Sequence, residues 1–171
     1  MEMERVQQVC MEMIQQREYE VIEKVSGEHI LAVKPDGKNM VVFFTGIDKF
    51  NVKHLQIFTS RMNDLGVDHS IIVYKEGVTS FTKKAIKRSV EMTFELFSED
   101  DLQYNITKHR LQPSFKRLFP KVAVDFKKKF GTKFGTMRID DPIARFYAYN
   151  RGDVIRITRS REFITYRIVR G

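Results

Sequence analysis

The chain has 171 residues, 42% of them hydrophobic, enough to build one medium domain or two small ones around a real core, which excludes a disordered chain. Its one cysteine, Cys10, excludes an internal disulfide and any cysteine-rich zinc site and points to a reducing compartment, while the formal charge of +8 favours a polyanionic neighbour. The longest apolar run, Met40 to Phe44, falls far short of the roughly 20 residues a membrane span needs, and no basic-then-apolar stretch opens the chain, so a non-secreted protein without a membrane partner is expected.

Residues 2 to 17 place Met3, Val6, Val9, Cys10, Met13 and Ile14 at three- and four-residue intervals, the stripe of an amphipathic helix. Two strands are predicted at 30–33 and 40–44, joined through Pro35-Asp36-Gly37, whose chemistry is that of a turn. Asn51 can cap a second helix, with Val52, Leu55, Phe58 and Met62 on one face and Gly66 as its stop. A buried strand centred on Ile71-Ile72-Val73 follows, then a third helix from Thr79-Ser80 carrying Ala85, Ile86 and Val90, then a strand from Met92 to Phe97. The order α-β-β-α-β-α-β predicts an α/β layer arrangement.

Further on, Ala123 to Gly131 reads as a basic helix ending in glycine, and Thr132-Lys133-Phe134-Gly135 as a basic loop. Asp140-Asp141-Pro142 supplies a carboxylate cap ahead of a proline suited to the first helical position. Ile143, Phe146 and Tyr147 then recur at helical spacing, and Asn150-Arg151-Gly152 offers a left-handed stop. Val154 to Ile157 and Phe163 to Val169 read as an antiparallel hairpin.

The wording of these segments carries more than their spacing does. Asp-Pro-Ile-Ala-Arg-Phe-Tyr at 141–147, Arg-Gly-Asp-Val-Ile-Arg-Ile at 151–157 and Ile-Thr-Tyr-Arg-Ile-Val at 164–169 resemble the C-terminal domain of the fifth common subunit of eukaryotic nuclear RNA polymerases; its archaeal counterpart ends similarly. Residues 97–102 and 105–113 are similar to the same family's entry into that domain. In the first half, residues 40–44, 55–62 and 70–73 keep the order and spacing of the eukaryotic subunit's jaw domain, which the archaeal counterpart lacks. Two departures stand out: the stretch between the first helix and the first strand is short, and Ser80 occupies a position where the family usually has proline. A shortened, divergent copy would suit a large DNA virus with its own polymerase.

The resemblance implies an α/β jaw domain over 1–96, restriction-endonuclease-like and inactive, followed by a small α+β assembly domain over 97–171. The charge shift falls at the same place. Residues 1–95 carry 13 Lys and Arg against 14 Asp and Glu, a net −1, and residues 96–171 carry 17 against 8, a net +9. It further implies a non-catalytic subunit that docks on the largest polymerase subunit, among other subunits, with the jaw near downstream duplex DNA. Asp141, Pro142, Arg145, Tyr147, Arg151 and Gly152 are the docking candidates, each with an internal alternative such as a helix cap, a core aromatic or a turn. Thr79, Ser80 and Lys83 are the candidates for DNA proximity, with helix capping the competing role of Thr79. The implied location is the nucleus, or the host cytoplasm or virion for a viral protein.

A nuclease of the jaw's fold type needs an aspartate and, on the next strand, an acid two positions before a lysine, to hold Mg²⁺ and stabilise developing charge. Residues 40–45 contain no Asp, Glu or Lys, and Asp48-Lys49 are adjacent, so Asp36 is expected to serve a turn. Gly131 to Thr136 lacks the Gly-Lys-Ser/Thr ending of a phosphate loop. His29, His54, His69 and His109 are too scattered for ligand spacing. Asn105-Ile106-Thr107 is a glycosylation sequon on paper only. No cofactor, metal or small-molecule substrate is expected. The alternative reading is a free-standing basic nucleic-acid-binding protein that uses its C-terminal half, Lys127-Lys128-Lys129 included.

Overall fold

The computed structural model describes residues 2–171, which divide into two compact units, one ending at Tyr104 and the other spanning Asn105–Gly171. Strand β7 (Thr93–Ser98) runs straight through the 96/97 join expected from the charge shift, and the short 3₁₀ turn Asp100–Leu102 remains with the first unit.

The first unit is built on a five-stranded sheet. Helix α1 (Glu2–Gln16) is followed by β1 (Glu20–Val25), β2 (His29–Val33) and β3 (Asn39–Phe44), then β4 (Lys49–Phe50), α2 (Val52–Leu65), β5 (His69–Tyr74), β6 (Gly77–Val78), α3 (Ser80–Arg88) and β7. The sheet order is β1-β2-β3-β5-β7, antiparallel through β3 and parallel from β3 to β7. Parallel neighbours need crossovers, and α2 and α3 provide them on one face, where Leu55, Phe58 and Met62 pack on Val41, Phe43 and Ile72 with Ala85 and Ile86 alongside. Strand alternation turns Val42, Phe44, Ile71 and Val73 to the other face, the side on which α1 buries Val6, Val9, Cys10, Met13 and Ile14. Burial pushes the Cys10 thiol up to about 12, so it is an inert core residue.

The start of α2 follows the sequence closely. Asn51 Oδ1 accepts from the amides of Lys53 and His54, and His54 Nδ1 accepts from the amide of Asn51. Gly66 ends the helix in the left-handed conformation, φ 66°, that glycine adopts without a Cβ penalty. The predicted third helix is shorter than expected: it stops at Arg88, and Val90 lies outside it, 96% exposed. Strand β1 was not anticipated, because Glu20-Val21-Ile22-Glu23 mixes charges with apolar residues as an exposed sheet edge does. Strands β4 and β6 pair in parallel with only two residues each, too short for periodicity to reveal.

The second unit holds β8 (Ser114–Arg117), α4 (Pro120–Phe130), β9 (Thr136–Arg138), α5 (Pro142–Phe146), β10 (Val154–Ser160) and β11 (Phe163–Arg170). Its sheet order is β8-β10-β11-β9, with β9 parallel to β11 and the other pairs antiparallel. Helix α5 covers one face, where Ile143 and Ala144 meet Ile155, Ile157, Val169 and Met137. Helix α4 covers the other, where Ala123 and Phe126 meet Val154, Ile168 and Tyr166. The second unit is a mixed α/β layer structure like the first, with one helix on each face of its sheet.

Candidate functional site

The segment Asp140–Asp153 forms its own local structure before it meets anything else. Asp141 Oδ1 accepts from the Ile143 amide at 2.9 Å, and Pro142 takes the first helical position, where its missing N–H costs nothing. Asp140 is engaged separately, in a bidentate pair with Arg138 at 2.9 Å that holds its carboxyl below the usual range. Ile143, Ala144 and Phe146 point into the core, leaving Pro142 exposed and Arg145 half-buried on the outer side of the helix. The sequence-predicted docking residues Asp141, Pro142 and Arg145 therefore share one short helix, with the cap role of Asp141 now explicit.

The helix stop differs from the sequence expectation. It falls at Phe146, not at Asn150-Arg151-Gly152, and the left-handed residue is Ala148, φ 54°. Tyr149 N donates to Ala144 O and Ala148 N donates to Arg145 O, the paired bonds that close a helix through a left-handed residue. Alanine gives no sequence signal for such a stop, because its Cβ disfavours the conformation. Replacing Ala148 by glycine is expected to raise the stability of this unit by about 1 kcal/mol, read as a higher urea midpoint with an unchanged slope. No change, or a loss, would show that the Ala148 backbone is not strained.

Tyr147 caps the helix and stacks on Tyr149 at 5.4 Å, which is itself buried beneath the Arg117 guanidinium. Burial pushes the Tyr149 hydroxyl well above its ordinary value, with the nearby Tyr147 and Asp153 acting in the same direction. Arg151 and Gly152 belong to the next turn. Gly152, φ 90°, donates to Val169 O at 2.8 Å, and its carbonyl accepts from Lys127 Nζ at 2.6 Å. Lys127 of the basic run is thus a structural strut between α4 and the turn before β10, whereas Lys128, Lys129 and Arg151 face solvent.

The candidates in the first unit lie at the N-terminus of α3. Thr79 Oγ1 accepts from the Thr82 amide at 3.3 Å and shares a 2.6 Å hydrogen bond with the buried Thr82 hydroxyl, so its side chain serves as the cap. Ser80 and Lys83 are exposed, and Lys84, Lys87 and Arg88 make the remaining outer surface of this helix basic. The exposed Phe81 sits among them.

Asp36 closes the β2–β3 turn: its Oδ1 accepts from the Lys38 amide at 2.9 Å, beside Gly37 at φ 90°. Among the described residues no group of three His, Cys, Asp or Glu side chains is arranged to hold a metal ion. The sequon's Asn105 is buried and its carboxamide accepts from the Thr107 amide and hydroxyl.

One cluster escaped sequence reasoning. Arg17, just beyond α1, forks onto Glu95 of β7 through two 2.8 Å bonds, and His69 Nε2 of β5 lies 2.6 Å from Glu95 Oε2. The Arg17 side chain is 4% exposed and that of Glu95 17%. The available signal was a lone acid inside the apolar strand Thr93-Phe94-Glu95-Leu96-Phe97, which needs a cationic partner if that face is covered.

Comparison with known proteins bears directly on the second unit. Residues 104–169 match the family model described as RNA polymerase Rpb5, C-terminal domain. A putative DNA-directed RNA polymerase subunit of Invertebrate iridescent virus 6 is 40% identical over 112 residues, 58% of this chain and 61% of that one. The subunit of DNA-directed RNA polymerases I, II and III from Dictyostelium discoideum is 30% identical over 140 residues, 76% of this chain and 71% of that one. Subunit 5C of RNA polymerase V from Arabidopsis thaliana is 29% identical over 140 residues, 77% of this chain and 60% of that one. The chain thus spans less than two thirds of the viral and plant relatives and about seven tenths of the Dictyostelium one. With the α5–β10–β11 segment inside the matched region and the similarity continuing into the first unit, the chain belongs to the Rpb5 family of DNA-directed RNA polymerase subunits.

Proposed function

We propose that this chain is a non-catalytic structural subunit of a multisubunit DNA-dependent RNA polymerase, docking on the largest subunit through its second unit and forming part of the lower jaw with its first. Membership of the Rpb5 family is the observation that carries this reading. The docking surface is assigned to Asp141, Pro142, Arg145, Tyr147, Arg151 and Gly152. Support comes from the local rigidity of that segment, where a capped helix and a double hydrogen-bonded stop hold Arg145 in place at little entropic cost on binding.

The first unit is read as a restriction-endonuclease-like fold without activity. The turn role of Asp36 and the all-apolar character of Met40–Phe44 support that reading. Ser80 and Lys83, at the amino end of a helix whose outer surface is basic, suit the phosphates of downstream duplex DNA, since helix dipole and side-chain charge act together there. Thr79 contributes by holding that end of the helix. The 40% identity to a viral subunit favours a virus-encoded polymerase acting in the host cytoplasm or virion over a nuclear one.

The test is recovery of the tagged chain from its own cell or from infected cells at moderate salt, with the variant Arg145→Glu/Arg151→Glu alongside. Retention of the largest polymerase subunits by the native chain, and a loss of about tenfold or more in the double variant at unchanged circular dichroism, is expected from reversing two interface charges. Recovery of nucleic acid alone, with affinity falling steeply with salt, would favour the free-standing binding protein instead.

A further inference from the structure

Every charged residue on the four strands of the second unit's sheet is basic. On the face beneath α4, Lys116 of β8 stands directly opposite Arg156 of β10, and Tyr166 of β11 stands opposite Arg156 on its other side. Further along the same face, the hydroxyl-bearing Ser114 and Thr158 stand opposite each other. Like charges directly opposite on neighbouring strands work against folding. In addition, Arg156 Nε is buried with no hydrogen-bond acceptor among the described residues, although a guanidinium N–H removed from water needs one. Folding alone gives no reason for this pair, and an anion seated between the two side chains would relieve both defects.

The surroundings select the kind of anion. Phe126 lies 4.5 Å from Tyr166 and covers that ring, so the face offers no open aromatic platform on which a base could stack. Exposed Ile164, the cross-strand neighbour of Thr158, puts apolar surface beside the charges instead. Strand β8 forms the edge of the sheet, with no strand on its outer side among the described residues, where an extended chain can add itself by backbone hydrogen bonds. A carboxylate matches the planar fork of an arginine better than it matches a point charge.

We infer that Lys116 and Arg156, with the β8 edge, form a docking site for an acidic, extended segment of a partner polypeptide, one of whose carboxylates seats between the two cations. The site lies on the opposite face of the sheet from α5 and does not rest on the polymerase reading.

The experiment uses the full chain, labelled so that the arginine Nε–H signals are resolved by NMR, titrated with a short synthetic peptide of alternating glutamate and valine. The expected result is a shift of the Arg156 Nε–H signal that saturates, with affinity weakened about tenfold or more by Arg156→Gln or Lys116→Glu, the effect of losing one charge-assisted hydrogen bond. Lys121→Glu, on the exposed side of α4, should bind as the native chain does. Lys116→Glu should also raise the melting temperature while weakening binding by that factor, because it turns a repulsive cross-strand pair into an attractive one. A merely structural lysine would not show that combination. An Arg156 signal unmoved at saturating peptide, or unchanged affinity in Lys116→Glu, overturns the inference. So does a short DNA duplex that moves the Arg156 signal where the peptide does not, since the face would then belong to nucleic acid.

Discussion

Replacing Glu95 by alanine is expected to lower the stability of the first unit by about 3–5 kcal/mol, the usual cost of leaving a buried charge without its partner. Arg17 is almost wholly enclosed, and Glu95 is the carboxylate it forks onto, across 78 residues of sequence. With the carboxylate gone, the guanidinium keeps its desolvation cost and loses the attraction that offset it. Urea unfolding at neutral pH measures this, and a loss under about 1 kcal/mol would show that the pair behaves like an exposed one. Arg17→Met combined with Glu95→Leu should recover most of the loss, because removing both charges removes the penalty as well.

The same residue sets an acid limb. Burial pushes the Glu95 carboxyl up, but the Arg17 guanidinium and the hydrogen bonds from His69 and Arg17 outweigh it and bring it down to about 2, from 4.5. The folded pKa lies below the unfolded one, so the unfolded chain takes up the proton first as pH falls. The stabilisation is fully present above about 4.5 and is lost progressively toward about 2. A shift of this size corresponds to about 3 kcal/mol. Glu95→Gln should flatten the stability profile across that window, and a profile as steep as that of the native chain would assign the acid limb to other carboxylates.

The second large effect is expected at Ile155, which is fully enclosed at the centre of the second unit between β8, β11 and α5. Ile155→Asp should unfold residues 105–171 outright. A unit of this size holds only about 3–5 kcal/mol of stability in its core, and an unpaired buried carboxylate costs several kcal/mol on its own. Ile155→Val, which keeps the shape and loses one methylene, should cost only about 0.5–1.5 kcal/mol. Amide hydrogen exchange reads both: Ile155→Asp should strip protection from β8, β9, β10 and β11, and persistent slow exchange there would mean the core repacks around the charge.

Much of this molecule is written in short stretches of chain. The stripe of α1, the Asn51 cap and Gly66 stop of α2, the Pro35-Asp36-Gly37 turn, the Asp141-Pro142 start of α5 and the C-terminal hairpin each depend on groups within a few residues of one another. Composition and periodicity report such groups faithfully, and the run of motifs from 141 to 169 identified the family as well.

The features that escaped depend on distant partners. Three residues at 136–138 become a strand only because β11 supplies a parallel neighbour, and β8 becomes one only because β10 lies beside it. Ala148 takes the left-handed stop because Ile143, Ala144 and Phe146 must enter the core, a demand that outweighs the intrinsic preference of alanine. Lys116 meets Arg156, and Arg17 meets Glu95 and His69, through register and packing that no local pattern encodes. The sequence by itself determined the elements, their caps and the family, because those rest on local backbone chemistry. The pairing of charges was decided only by the tertiary structure, because the energy of a charge depends on which distant group shares its burial.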